Sequence, residues 1–416
     1  VATAPRPSLA DVEPARPQRN AVALLALALG AFAISTSEFA SMGLMPLFAK
    51  DLGLSTPAAT NGITAYAIGV TLGAPVLTVA AARLSKKRLL LALMALACAA
   101  NLVTAVAGSL VPLLVGRFLS GLPQGAYFGA AAVLATRIVG PERGGRAVSL
   151  VFSGISAATI AGAPLGTFIG QHAGWRASYA VIGALALACV AALATAVPSR
   201  ADVAGGSVRR ELAALRRPGV WIMVAFTSLA LASFFAIYTF IGPLVTEAAA
   251  MSPSMTPVAQ TLIGFGIAAG TLAGGVLADR YRFRAMVLCL VAGMAAMALM
   301  YVLAALPPGL LAAFFVVPFL LNAGVPSITV QMMRMAPDAP TMMGALNMAA
   351  FNVGNAIGAV AGAVTVDAGL GVRSPILAGL ALTGAALGFF AAAFPYVDRS
   401  SGTVGRESAP LPKAAA

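Results

Sequence analysis

Charge is what this sequence has least of. Only 9% of its 416 residues are Asp, Glu, Lys or Arg, 60% are hydrophobic, and the mean hydropathy is +0.93. A soluble domain carries about 25% charged residues, so this chain lacks the polar material to cover a water-facing surface, and a soluble enzyme is excluded. Histidine is reduced to His172, and cysteine to Cys98, Cys189 and Cys289, each inside an apolar run. A metal centre of the usual kind cannot be assembled from these, and paired extracellular cysteines are absent. No cofactor is expected. Nor is there a nucleophile with its base or a phosphate loop, so a membrane-embedded enzyme is the weakest option. Acid is the scarcer sign, with 13 Asp and Glu against 26 Lys and Arg, a net charge of +13. In a soluble protein that balance would suggest nucleic acid. Here the bases fall in short clusters between long apolar stretches, so no nucleic-acid partner is expected and the excess is a matter of topology.

The long stretches are abundant. Runs of about 20 apolar residues are long enough to cross a bilayer. Twelve are predicted, at 21–48, 61–82, 88–107, 110–136, 147–171, 177–197, 219–247, 258–278, 285–305, 308–333, 341–368 and 373–396. With the start of the first on the cytoplasmic side, twenty-two Lys and Arg fall on that side and only Lys50, Arg176 and Arg373 on the other. The positive-inside rule then places both termini in the cytoplasm and supports an even number of spans. The expected organisation is a disordered cytoplasmic tail at 1–20, a six-helix bundle at 21–197, a basic cytoplasmic linker at 198–218, a second six-helix bundle at 219–396 and a disordered tail at 397–416. No cleavable signal pattern precedes the first span, which would itself act as the membrane signal.

The halves repeat. A shift of 197 residues superposes Pro46 on Pro243, Gly69 on Gly266, Gly73 on Gly270, Arg83 on Arg280, Gly174 on Gly371 and Arg176 on Arg373, each pair at the same place in its half. That is the parallel-repeat arrangement of a transporter with a site between two bundles. Four segments add a resemblance. Gly275, Asp279, Arg280, Arg282 and Arg284 follow the order of a Gly-x-x-x-Asp-Arg-x-Gly-Arg-Arg loop. The first-half counterpart keeps Arg83, Lys86 and Lys87 but has Thr78 and Ala82 for the Gly and Asp. The fourth span carries Arg117, Gly121, Gln124 and Gly125, the fifth Gly162, Ala163, Pro164, Leu165 and Gly166, and the first Ser37, Glu38, Phe39, Met42, Gly43 and Pro46. Together these resemble the major facilitator superfamily, and most closely its twelve-helix drug:proton antiporter branch with sugar-efflux and chloramphenicol-efflux permeases. The resemblance implies an all-α membrane protein of two pseudo-symmetric six-helix bundles, a monomer in the lipid bilayer of the bacterial inner membrane. It would exchange protons for a small-molecule substrate by alternating access. A facilitator or importer on the same scaffold, or a non-transporting membrane sensor, remains the alternative.

Glu38 and Arg117 are the only charges well inside the spans, about 15 Å and 12 Å from the outer ends at ~1.5 Å per residue. A charge at the bilayer centre is costly, which makes both candidate functional residues. Arginine keeps its proton and needs a counter-charge, helix carbonyls or water, and Glu38 is the one intramembrane carboxylate on offer. Apolar burial favours the neutral acid while a close guanidinium favours the carboxylate. Two readings follow: Glu38 takes up and releases a proton as its contact with Arg117 is made and weakened, or the two form a permanent buried pair. Candidate cavity residues are the mid-span polar and aromatic ones: Ser37, Ser41, Asn61, Tyr66, Gln124, Tyr127, Tyr238, Asn322, Asn347, Asn352 and Asn355. A methionine cluster about the tenth and eleventh spans, from Met332 to Met348, offers adaptable packing or a permissive binding wall. For gating, the resemblance implies that Gly162, Pro164 and Gly166 let the fifth span bend against the eleventh, with its Gly354, Gly358 and Gly362. It also implies an inner latch in which Asp279 meets the start of the fifth span, beside the anchoring bases Arg83, Lys87, Arg280 and Arg284.

Overall fold

In the absence of water, a spanning backbone satisfies its own polar groups as helix or closed barrel. The computed structural model describes residues 17–80, 84–197, 213–281, 283–336 and 339–407, and takes the helical solution, with no strand among them. Its twelve rods are α1 (Pro17–Asp51), α2 (Thr56–Ala80), α3 (Lys86–Ala105), α4 (Leu110–Val139), α5 (Gly144–Ala173), α6 (Trp175–Ala196), α7 (Pro218–Tyr238), α8 (Met255–Tyr281), α9 (Phe283–Leu303), α10 (Pro307–Met335), α11 (Pro340–Asp367) and α12 (Ser374–Glu407). Eleven of the described helical runs are long and apolar enough to cross a membrane. The remaining rod, α2, has 25 residues. The last helix continues to Glu407, past the expected boundary at 396. Residues 1–16, 198–212 and 408–416 of the expected tails and linker, with Arg83 and Arg282 of the loops, lie outside the described residues.

Prolines shape several rods from within. Pro123 starts the second half of α4 after a break at Leu122, and Pro326 stands just after the break at Gly324 in α10. In α5, one π-helical turn spans Ala158–Gly162 directly before Pro164. Pro164 has no N–H for the carbonyl four residues back, that of Ile160, and a widened turn accommodates the mismatch.

The two bundles are built by the same contacts twice. On α2, a Cβ added to Gly69 would strike the carbonyl oxygen of Phe118, and one on Gly73 that of Leu122. On α8, Gly266 and Gly270 meet the carbonyls of Phe315 and Phe319 in the same way. All four pairs keep the shift of 197 residues, so the sequence repeat is a repeat of backbone contacts, with glycine required because carbonyl oxygens cannot move aside. The small-residue stripe of α5 closes on α1, with Gly154 at the carbonyl of Ala28 and Gly162 at Thr36, and that of α11 closes on α7, with Gly354 at the carbonyl of Ser228.

Two seams join the bundles: α2 against α11, and α5 against α8. The expected α5–α11 partnership is therefore corrected. Each stripe is spent within its own bundle, on α1 or α7, and the part of α5 that crosses the seam includes the π turn, where Gly264 of α8 lies against the backbone of Thr159 and Ile160. The freed carbonyl of Ile160 accepts a hydrogen bond from Thr261 Oγ1 at 3.3 Å across this seam. At one end of the molecule Arg137, Arg143, Arg146, Arg280, Arg284 and Arg334 are exposed; this is the basic end. Near the other end the bundles are closed: Gln171 Nε2 donates to the carbonyl of Pro253 at 2.7 Å, and Gly242 packs on Pro46.

Candidate functional site

Among the described residues only two charged side chains are buried, Glu38 and Arg117, at 2% and 1% exposure. Glu38 projects from α1 into the space between the bundles. Its Oε2 accepts from Gln124 Nε2 at 2.8 Å, and its Oε1 from Asn355 Nδ2 at 3.4 Å. Gln124 reaches it from the first turn after the Pro123 break in α4, whereas Asn355 comes from α11, in the opposite bundle.

Arg117 is placed differently from the sequence expectation. No nitrogen of Arg117 comes within 4.0 Å of a Glu38 oxygen, and the one ion pair among the described residues joins Arg176 and Asp51 at 2.6 Å, both partly exposed. The guanidinium carbon instead lies 4.5 Å from the ring centre of Tyr66 and 5.5 Å from that of Tyr179. Its Nη1 donates to Ser37 Oγ at 3.2 Å and Ser120 Oγ at 3.4 Å, and the Ser37 hydroxyl in turn donates to Asn101 Oδ1 at 2.8 Å. Aromatic faces stabilise a desolvated cation by about 2 kcal/mol, and guanidinium, being flat, stacks where an ammonium cannot. The cation is thus held by neutral groups, and the carboxylate is left to two amides. A permanent direct pair is not what this conformation contains.

The remaining candidates divide. Ser37, Ser41, Tyr66, Gln124 and Asn355 converge about the two charges, with Ser41 Oγ 2.8 Å from Tyr179 OH. Tyr238 lies across the seam, its ring stacked on Phe39 at 5.9 Å and its hydroxyl buried without a partner. Gln124 Oε1, Asn355 Oδ1 and Arg117 Nε are also buried and unpartnered, so the centre holds more polar valence than it uses internally. Elsewhere, Tyr127 donates to the carbonyl of Leu27, Asn322 to that of Pro318, Asn352 to that of Met348, and Asn347 to Thr329 Oγ1. Asn61 is exposed, contrary to its expected place in the cavity, while Thr60 and Gly62 beside it on α2 are buried. Of the residues expected to gate, Gly162 abuts Thr36 and Gly166 Ala40, both on α1, and Pro164 is buried beside them. Lys87 donates to the carbonyls of Ala194 and Val197, tying α3 to the end of α6. Asp279, Arg280 and Arg284 are exposed at the basic end, Arg280 lying over Tyr281, and Asp279 has no ion pair among the described residues.

Asn101, Ser120 and Tyr179 belong to the cluster and were missed. Asn101 was findable, as a lone amide in the apolar run of α3. Tyr179 reads as an interfacial aromatic because it stands five residues into α6, and only the tertiary fold turns it toward Arg117.

The profile of the Major Facilitator Superfamily matches this chain twice, over residues 27–359 and 229–415. The chain is 36% identical over 364 residues to the inner membrane transport protein YdhP of Escherichia coli (strain K12), covering 86% of this chain and 94% of that protein. It is 33% identical over 380 residues to a chloramphenicol resistance protein of Streptomyces lividans, covering 90% and 95%. The fold matches a solved bacterial homolog of the human lysosomal transporter Spinster, in an inward-facing and occupied conformation, with a TM-score of 0.73 over 93% of this chain and 98% of that one at 14% identity. With its twelve rods in two repeated bundles, the chain belongs to the major facilitator superfamily and is an integral membrane transporter, not an enzyme.

Proposed function

We propose that the protein exports a small neutral or amphiphilic molecule, such as a drug, sugar or metabolite, across the bacterial inner membrane in exchange for protons. The basic end faces the cytoplasm, as the positive-inside rule requires. The observation that carries the reading is Glu38: one buried carboxylate at the seam of the bundles, held by an amide from each and free of a direct ion pair. A group so placed meets water from whichever side the bundles open toward, and a proton taken up on one side is released on the other. Arg117, fixed on Tyr66 and Tyr179, keeps a positive field beside it in every state. A small apolar pocket lined by Phe234, Ile237, Tyr238, Ile263 and Phe314 suits a neutral or weakly polar solute, in keeping with the chloramphenicol resistance protein among the relatives.

The test is accumulation of radiolabelled chloramphenicol, a pentose and a nucleoside in inside-out vesicles with and without a proton gradient. One of them is expected to accumulate only with the gradient. Glu38→Gln should abolish that uphill flux while leaving exchange intact; uphill flux that survives the substitution defeats proton coupling at Glu38 and leaves a carrier driven otherwise.

A further inference from the structure

We infer that Asn355 is the positioning residue that lets the bundles close on Glu38 in either of its charge states; this rests on the proton-coupling reading above. A proton-coupled exchanger crosses the membrane in two forms, one with the acid protonated and one with it ionised and solute bound. A buried group that switches between acceptor and donor needs a partner able to answer both.

The side chain facing Glu38 from the opposite bundle is an amide. Asn355 is fully buried, its Nδ2 donates to Glu38 Oε1 at 3.4 Å, and its Oδ1 is buried with no partner. With Glu38 ionised, the amide N–H₂ serves the carboxylate. With Glu38 protonated on Oε1, a half-turn of the Asn355 amide presents Oδ1 to accept the new O–H, and the proton has come from water on the open side. Gln124 offers the same pair of atoms to Oε2, again with its Oε1 unpartnered and buried, but it lies in the same bundle as Glu38 and cannot sense closure. Asn355 alone of the two is on the moving side. The other charged and titratable groups about the site are Arg117 from α4, Tyr66 from α2, Tyr179 from α6 and Tyr238 from α7, and the cation is permanent.

A carboxylate in place of Asn355 would remove this symmetry. Two facing acids close when they share a proton and repel when both are ionised. The experiment uses the full-length protein in lipid nanodiscs with its three cysteines replaced by alanine and spin labels at His172→Cys and Ser254→Cys. Both are exposed positions flanking the Gln171 to Pro253 contact that closes the far end. With Asn355 in place, the short inter-label distance is expected at both pH 5 and pH 9. Asn355→Asp should keep it at pH 5 and lose it about tenfold or more at pH 9, the scale of a hydrogen bond to a charged group. Asn355→Gln, which keeps the amide, should restore the pH-independent closure and shows that the position tolerates change. A pH-independent Asp variant, or loss of closure at pH 9 with Asn355 present, overturns the inference. Failure of the underlying reading is seen separately, as Glu38→Gln retaining uphill accumulation whatever the distances show.

Discussion

Gly264→Ala separates what holds each bundle together from what lets the two meet. The new Cβ would lie 2.5 Å from the carbonyl oxygen of Thr159, 2.6 Å from its carbonyl carbon and 2.7 Å from the nitrogen of Ile160. All three are backbone atoms, and ordinary contact begins at 3.4 Å, so α8 and α5 must part by about 0.9 Å. Overpacking of this kind costs about 1–3 kcal/mol. Because the contact joins two bundles, the cost falls on the closed arrangement and not on the folded state, and 1–3 kcal/mol corresponds to a shift of about 5- to 150-fold in the closed population. Gly266→Ala, two residues along the same helix, is the control. Its Cβ meets the carbonyl of Phe315 inside the C-terminal bundle, so its cost falls on stability. The expected outcome is a melting temperature near that of the parent for Gly264→Ala with transport reduced at least fivefold, and a lowered melting temperature for Gly266→Ala. Equal destabilisation by both, with transport by Gly264→Ala intact, would refute the assignment of that contact to the seam.

Arg117→Lys keeps the charge but loses the flat stack on Tyr66 and the fork to Ser37 and Ser120, so transport should fall more than tenfold while the protein remains monodisperse by size-exclusion chromatography. A lysine variant with parental flux would show that charge alone suffices. Cys98, Cys189 and Cys289 are buried at 9%, 0% and 7% exposure, so a membrane-impermeant maleimide should leave all three unlabelled until the protein is denatured in detergent, as intact-mass measurement would show.

The span pattern was legible because each rod is longer and more apolar than a soluble helix, and because the clustered bases mark every second loop. The repeat was legible through glycine, and the reason is now physical: Gly69 and Gly266 each meet a main-chain carbonyl at positions that also obey the 197-residue shift. Glu38 and Arg117 stood out because charge in an apolar run is costly. Their relation did not follow, since counting charges assigns an acid to a base and cannot weigh a tyrosine face against a carboxylate. The partner of α5 was also hidden. Small residues at four-residue spacing say that some helix comes close, and the fold shows it to be α1, while the contact across the seam depends on a π turn that leaves no periodic trace.

The permanence of Arg117 has an electrical consequence. Its guanidinium stays charged at any physiological pH, so the buried site carries no net charge when Glu38 is ionised and one positive charge when it is protonated. On the proposed cycle, exchange of one proton for one neutral solute moves a full charge across the membrane, and the transmembrane potential adds about 2.3 kcal/mol per 100 mV to the driving force. A singly cationic solute would cancel that contribution. Current recorded from proteoliposomes therefore distinguishes classes of solute that concentration measurements alone leave together.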